Sequence, residues 1–150
     1  MIALVAALAA AATPACATDQ LRLHYKGFDG AAGTGHELFR LTPRAGVRCR
    51  LGGYPRIALL DPRGRKGIHV GRYHDDLHPV RTLTFSRRRP ARFDFRHPDF
   101  DPVTTKPSTR RIVAIEVRPP NQTDFLTLDF RRSLRLCKAG ARVSPVGRRY

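Results

Sequence analysis

The sequence has no tryptophan, one methionine, two glutamates and three cysteines in 150 residues. It lacks a C-x-x-C pair, a phosphate-binding glycine loop followed by lysine, and a serine in a nucleophile elbow. Zinc sites, P-loops and α/β-hydrolases are built on such patterns, so their absence argues against those classes. The longest apolar run, residues 1–12, is shorter than the roughly 20 residues of a membrane-spanning helix.

Basic residues dominate what is present. Lys and Arg number 28 against 12 Asp and Glu, which gives a net charge of +16. Hydrophobic residues make up 41%, enough for a packed core and too many for a disordered polycation. The 12 glycines and 12 prolines argue against a helix bundle. The length fits one domain.

The first fifteen residues are uncharged, and small residues follow the apolar run. This pattern predicts a secretory signal peptide over 1–15, cleaved after Ala12 or Ala15, and a domain over 16–150. No basic residue precedes the run, so a buried N-terminal helix of a cytosolic protein is the alternative. Lipidation at Cys16 is a minor alternative, because Thr13 and Pro14 fit a lipobox poorly. We expect a secreted or envelope-associated protein.

Short runs of alternating apolar and polar residues follow, separated by Gly and Pro. The alternating runs lie at 21–25, 47–51, 82–85, 92–96, 113–117 and 126–130, and a continuous apolar run at 57–60. The pattern predicts an all-β fold, a two-sheet antiparallel immunoglobulin-like sandwich. Asp61–Gly64 should be a hairpin turn, Gly30–Gly35 a flexible turn, and 97–110 the longest loop.

Cysteines in an exported chain are expected to pair, and three cysteines allow three single disulfides. Spacing does not choose among Cys16, Cys49 and Cys137. A bridge between the first two would stabilise the fold by about 3–4 kcal/mol in the chain-entropy model. Three reduced, buried cysteines are the alternative.

Several segments in a fixed order resemble one family. The most specific is C-x-L-x-G-Y-P at Cys49–Pro55; the others are Cys16–Leu21, Asp61–Gly64, Glu116–Pro120 and Val143–Val146. Together they resemble domain of unknown function family 4232, found in exported and lipid-anchored actinobacterial proteins. The resemblance implies an extracytoplasmic β-sandwich with no assigned activity.

The resemblance also bears on the cysteines. Family members usually carry four, and this chain has none near Arg110, where the third is expected. If the first family cysteine pairs with the second and the third with the fourth, the resemblance implies that Cys16 pairs with Cys49 and that Cys137 is a free thiol.

One polar cluster has metal-ligand character. His74, Asp76 and His78 share one side if their segment is extended, and imidazole with carboxylate suits zinc. These residues are weak candidates for a metal-dependent hydrolase, because a polar loop between strands explains them better. We expect no cofactor and no catalytic residue.

The excess charge lies in two segments, 36–72 and 130–150, each with a net charge of +7. If they adjoin, they form a face that attracts polyanions, with candidate residues Arg48, Arg50, Arg56, Arg131, Arg132 and Arg135. The simpler interpretation is that alternate strand positions place Arg in water. We therefore expect a monomeric, non-enzymatic binding or envelope-associated module. The alternative is binding of an anionic envelope polymer, lipid or nucleic acid, with no specific nucleic acid expected.

Overall fold

The computed structural model describes residues 12–31, 33–74, 79–98, 110–137 and 140–149. These parts form ten strands after one short 3-10 helix, Thr18–Gln20. The strands are β1 Leu21–Ala31, β2 Thr34–Pro43, β3 Arg48–Leu51, β4 Arg56–Leu60, β5 Gly71–Arg72, β6 Leu83–Ser86, β7 Ala91–Pro98, β8 Arg110–Arg118, β9 Leu126–Leu136 and β10 Arg142–Val143. No helix in these ranges is long and apolar enough to cross a membrane.

The expected all-β sandwich is confirmed. Its largest sheet has the order β1-β2-β7-β10-β5, and a three-stranded sheet has the order β4-β8-β9. The pair β3-β6 forms a third sheet, so the described strands divide into three sheets instead of the expected two. Pro55 and the glycines before it end β3 and separate it from β4. One pairing, β10 with β5, is parallel.

Strand β2 was missed by the periodicity. Alternate β2 residues are buried throughout its length, and one of them is Glu37. An acidic residue at an inward position interrupts the apolar and polar alternation by which a strand is recognised in a sequence. The turn expected at Gly30–Gly35 is wrong in extent, because β1 runs to Ala31 and β2 begins at Thr34.

The core is filled mainly by aromatic and aliphatic side chains from the sheets. Phe39 and Phe93 stack at a centroid distance of 5.3 Å, and Phe95 is fully buried. Phe130 of β9 packs edge-on against Tyr25 and Phe39, which joins two of the sheets. Phe93, Phe95 and Phe130 thus all face the core, which fits the alternation of the runs 92–96 and 126–130.

A disulfide joins Cys16 to Cys49, as the resemblance implied, while Cys137 is a buried thiol. The backbone reinforces the link, since Cys16 N donates to Arg50 O at 3.0 Å and Arg50 N to Pro14 O at 2.8 Å. The start of the domain is thereby fixed against β3.

Two expected connections have mixed outcomes. Asp61–Gly64 is a turn, closed by a hydrogen bond of 2.9 Å from Gly64 N to Asp61 O. The expected loop over 97–110 is wrong at both ends, because Pro98 still belongs to β7 and Arg110 begins β8. Residues 99–109 lie outside the described residues.

Candidate functional site

Three of the segments that carry the family resemblance meet at one end of the sandwich. Val146 N donates to Gly53 O at 2.9 Å, and Gly53 lies beside Pro120. The loop after β3, the turn after β8 and the segment after β10 are thus neighbours. A pocket of about 560 Å³ lies at this meeting point.

The floor of the pocket needs its glycines. Gly53 has φ of +100°, a region that residues with a side chain rarely adopt. A Cβ on Gly52 would lie 2.8 Å from the Thr82 Cα, so only glycine permits this approach. Tyr54 follows and donates its hydroxyl to Tyr73 O at 3.0 Å, which fixes its ring.

One wall is a tight turn between β8 and β9. Gln122 N donates to Pro119 O at 3.1 Å, and Asn121 has φ of +61°. Pro at the second position and a residue with positive φ at the third are typical of a type II turn. Because of this turn, Asn121, Gln122 and Thr123 line the pocket.

Three arginines line the same pocket: Arg56, Arg72 and Arg118. Arg56 and Arg118 are direct cross-strand partners on β4 and β8, an arrangement that is unfavourable for like charges. The Arg72 guanidinium carbon lies 5.2 Å from the centre of the Tyr54 ring, so the ring supports it. We call this site, with Tyr54 and the turn 119–122, the arginine pocket.

No carboxylate of the described chain lies within 4.0 Å of these three guanidinium groups. Other cations are paired, for example Lys66 with Glu116 at 2.5 Å and Arg65 with Asp61 at 2.8 Å. The described lining supplies guanidinium, amide, hydroxyl and phenol groups, and neither carboxylate, imidazole nor thiol. Planar guanidinium forks suit carboxylate and phosphate.

The predicted basic residues do not share one place. Arg56 lines the arginine pocket, while Arg131 and Arg132 line a separate groove beside β1. Arg135 lies opposite Arg111 on β8, and Arg56 lies opposite Arg118 on the same strand. Arg111 and Arg118 are seven residues apart, or roughly 23 Å along the strand. Arg48 and Arg50 are exposed on β3. Arg72 and Arg118 were not singled out, because sequence alone does not show which arginines face each other.

The structure describes only one of the three metal-ligand candidates, His74. His74 is exposed, its ring edge-on to Tyr54 at 5.6 Å, and Asp76 and His78 lie outside the described residues. Within the described residues no group of three His, Cys, Asp or Glu side chains could hold a metal ion.

Glu37 is a buried carboxylate that sequence reasoning passed over. Tyr25 donates its hydroxyl to Glu37 Oε2 at 2.6 Å, and His97 Nε2 lies 3.2 Å from Oε1. Burial and the bond to Glu37 raise the pKa of Tyr25 above its ordinary value. The network ties β1, β2 and β7 together on the inner face.

Asp94 is a second buried carboxylate, on the opposite face of the same sheet. Tyr73 donates its hydroxyl to Oδ1 at 3.1 Å, and Arg96 Nε to Oδ2 at 2.9 Å, while His36 Nδ1 lies 3.0 Å from Oδ2. Its alternating position predicts an outward side chain, and that is correct; Tyr73 and Arg96 cover it. Since Tyr73 O accepts from Tyr54, this network reaches the arginine pocket.

Comparison with known proteins gives one result. Residues 16–147 match a family described as a domain of unknown function, DUF4232, which confirms the resemblance. No curated protein and no solved structure matches the chain. The family description carries no activity, so function has to be argued from the geometry.

Proposed function

The chain belongs to the domain of unknown function family DUF4232, and we propose that it is an exported, non-enzymatic module that binds anionic groups in the arginine pocket. The observation that carries this proposal is the set Arg56, Arg72 and Arg118, which lines one pocket and has no carboxylate partner within 4.0 Å in the described chain. A carboxylate or phosphate between the cross-strand pair would relieve the repulsion of its like charges.

The shape of the site favours one anionic group of a larger molecule. About 560 Å³ lies within the usual range of ligand sites and holds a sugar acid or a phosphorylated unit. The pocket opens beside exposed side chains such as Val80 and Asn121, so a polymer can continue past it. An anionic envelope polymer therefore fits the site better than a fully enclosed metabolite.

Export is supported by the disulfide and by the residues before it. Stable disulfides are typical of oxidising compartments, and Cys16 follows the uncharged start of the chain. The test is N-terminal sequencing of the protein from cells that carry the whole gene. Cleavage after Ala12 or Ala15 is expected, whereas an intact N-terminus with three reduced cysteines would overturn export.

Binding is tested by titrating the full chain with inorganic phosphate and then polyphosphate at low salt, followed by amide NMR shifts. We expect shifts at Gly53 and Asn121. Arg118→Gln should weaken binding at least ten-fold, since a charge-assisted bond contributes about 1.5–3 kcal/mol. Arg48→Gln, an exposed arginine outside the pocket, is the matched control. Equal losses in both variants, or no shift at Gly53, would reject the proposal.

A further inference from the structure

A second groove lies between β1 and β9, at the free edges of their sheets. Each strand is the outermost of its sheet, and backbone bonds from their outer edges to other described segments are absent. The groove has a volume of about 510 Å³. None of its lining residues belongs to the arginine pocket.

Both strands are interrupted where they face the groove. The pairing of β1 with β2 shifts between Tyr25 and Gly27, and Gly27 has φ of +131°. On β9 the pairing passes from Asp129 to Leu134 while β8 advances from Ala114 to Ile112. Four β9 residues, 130–133, therefore lie opposite the single β8 residue Val113, and β9 bulges there. Bulges interrupt the regular row of backbone donors and acceptors on an edge, so both edges are poor partners for an added peptide strand, and a compact ligand is favoured.

The groove is apolar below and cationic above. Partly buried apolar side chains that pack on the core form the floor: Leu23, Tyr25, Leu128 and Phe130. Lys26, Arg131 and Arg132 supply three cations, against one carboxylate from Asp129. The pKa of the adjoining His24 is lowered by burial and by Arg40, Lys26 and Arg22, which agrees with a positive potential there.

Arg132 is exposed and rests on an aromatic ring. Its guanidinium carbon lies 5.7 Å from the centre of the Phe28 ring. The Tyr25 hydroxyl, which donates to Glu37, lies near enough to raise the pKa of Arg132. A guanidinium that already contacts a ring loses less conformational freedom when it binds an anion.

We propose that this edge groove binds a single-chain anionic amphiphile, with the alkyl chain on the apolar floor and a phosphate or carboxylate head on Arg131 and Arg132. A simple inorganic ion would make no contact with the apolar floor, and a neutral lipid would leave the three cations without an anionic partner. The site is independent of the arginine pocket and of the proposed function.

The test is titration of the full chain with dodecyl phosphate, below its micelle concentration, followed by amide NMR shifts. Shifts at Gly27 and Phe130 are expected, with dodecyl maltoside and inorganic phosphate each at least ten-fold weaker at these amides. Arg132→Gln and, separately, Arg131→Gln should each weaken binding at least five-fold. Arg135→Gln, an exposed neighbour on β9 outside the groove, should not.

Three outcomes would overturn the proposal. Equal binding of dodecyl maltoside would show that charge is not recognised, and equal binding of phosphate would show that the floor is not used. Binding only to anionic phospholipid vesicles would indicate a membrane surface. Arg118→Gln separates the two sites, because it should weaken phosphate binding at the arginine pocket at least ten-fold and leave the dodecyl phosphate shifts at Gly27 and Phe130 unchanged.

Discussion

At the scale of single residues, the two buried carboxylates Glu37 and Asp94 are the least expected feature. Burial alone raises the pKa of Asp94, but bonds with Arg96, Ser144 and His36 outweigh it and hold that pKa below its ordinary value. A carboxyl whose pKa is lower in the folded state stabilises the fold above its unfolded pKa, near 3.8. This stabilisation is lost as the pH falls through the folded pKa.

Asp94→Asn should therefore lower the free energy of unfolding by about 1–3 kcal/mol near neutral pH, because it removes the charged acceptor of the bonds from Tyr73 and Arg96. The difference from the native chain should shrink as the pH falls through the unfolded pKa of 3.8 and then through the lower folded pKa. Urea denaturation of both proteins across this range measures it. A difference that does not vary with pH would contradict the role of the charge.

At the scale of elements, alternation predicted the strands whose inward positions are apolar, such as β7 and β8. It failed at β2, whose inward Glu37 is partnered by Tyr25, a residue on another strand. Local sequence does not show such a partner. The bulges of β1 and β9 could not be predicted from the sequence either, since register depends on the neighbouring strand. Of the arginine pocket, the sequence identified the motif at Cys49–Pro55 but not the residues that the fold brings next to it.

The β1 bulge yields a prediction about Gly27. Gly27→Ala should destabilise the fold by about 1–3 kcal/mol, because alanine is strained at φ of +131° although the space around it is open. Gly71→Ala is the control, since its Cβ would make ordinary contacts at 3.7 Å and its φ is not positive. Thermal unfolding compares them, and equal losses would show that backbone strain is not the cause.

At the scale of the whole molecule, the candidate arginines of the described residues are distributed over separate places. Arg56 and Arg131 serve different concavities, although both basic segments contribute to the fold around the same core. Composition predicted the excess, and periodicity predicted the sandwich. Neither could place two distant segments in space, because that depends on strand order.

The disulfide is the strongest single restraint on the whole molecule. Replacing both Cys16 and Cys49 by alanine should cost about 3–4 kcal/mol, because the 33-residue separation is no longer closed in the unfolded chain. Cys137→Ala should cost roughly 1 kcal/mol, as for an ordinary buried substitution. Guanidinium denaturation measures both. Similar losses in the two proteins would contradict the restraint.

The same bridge sets the mechanical path through the molecule. Tension applied between the two ends of the domain passes through sulfur from Cys16 to Cys49, so the covalent path bypasses β1 and β2. The 33-residue loop cannot lengthen while the bridge is intact, which withholds about 110 Å of extension. Force from the N-terminal side therefore enters the sheets at β3, and the first hairpin, with its wall of the edge groove, keeps its length.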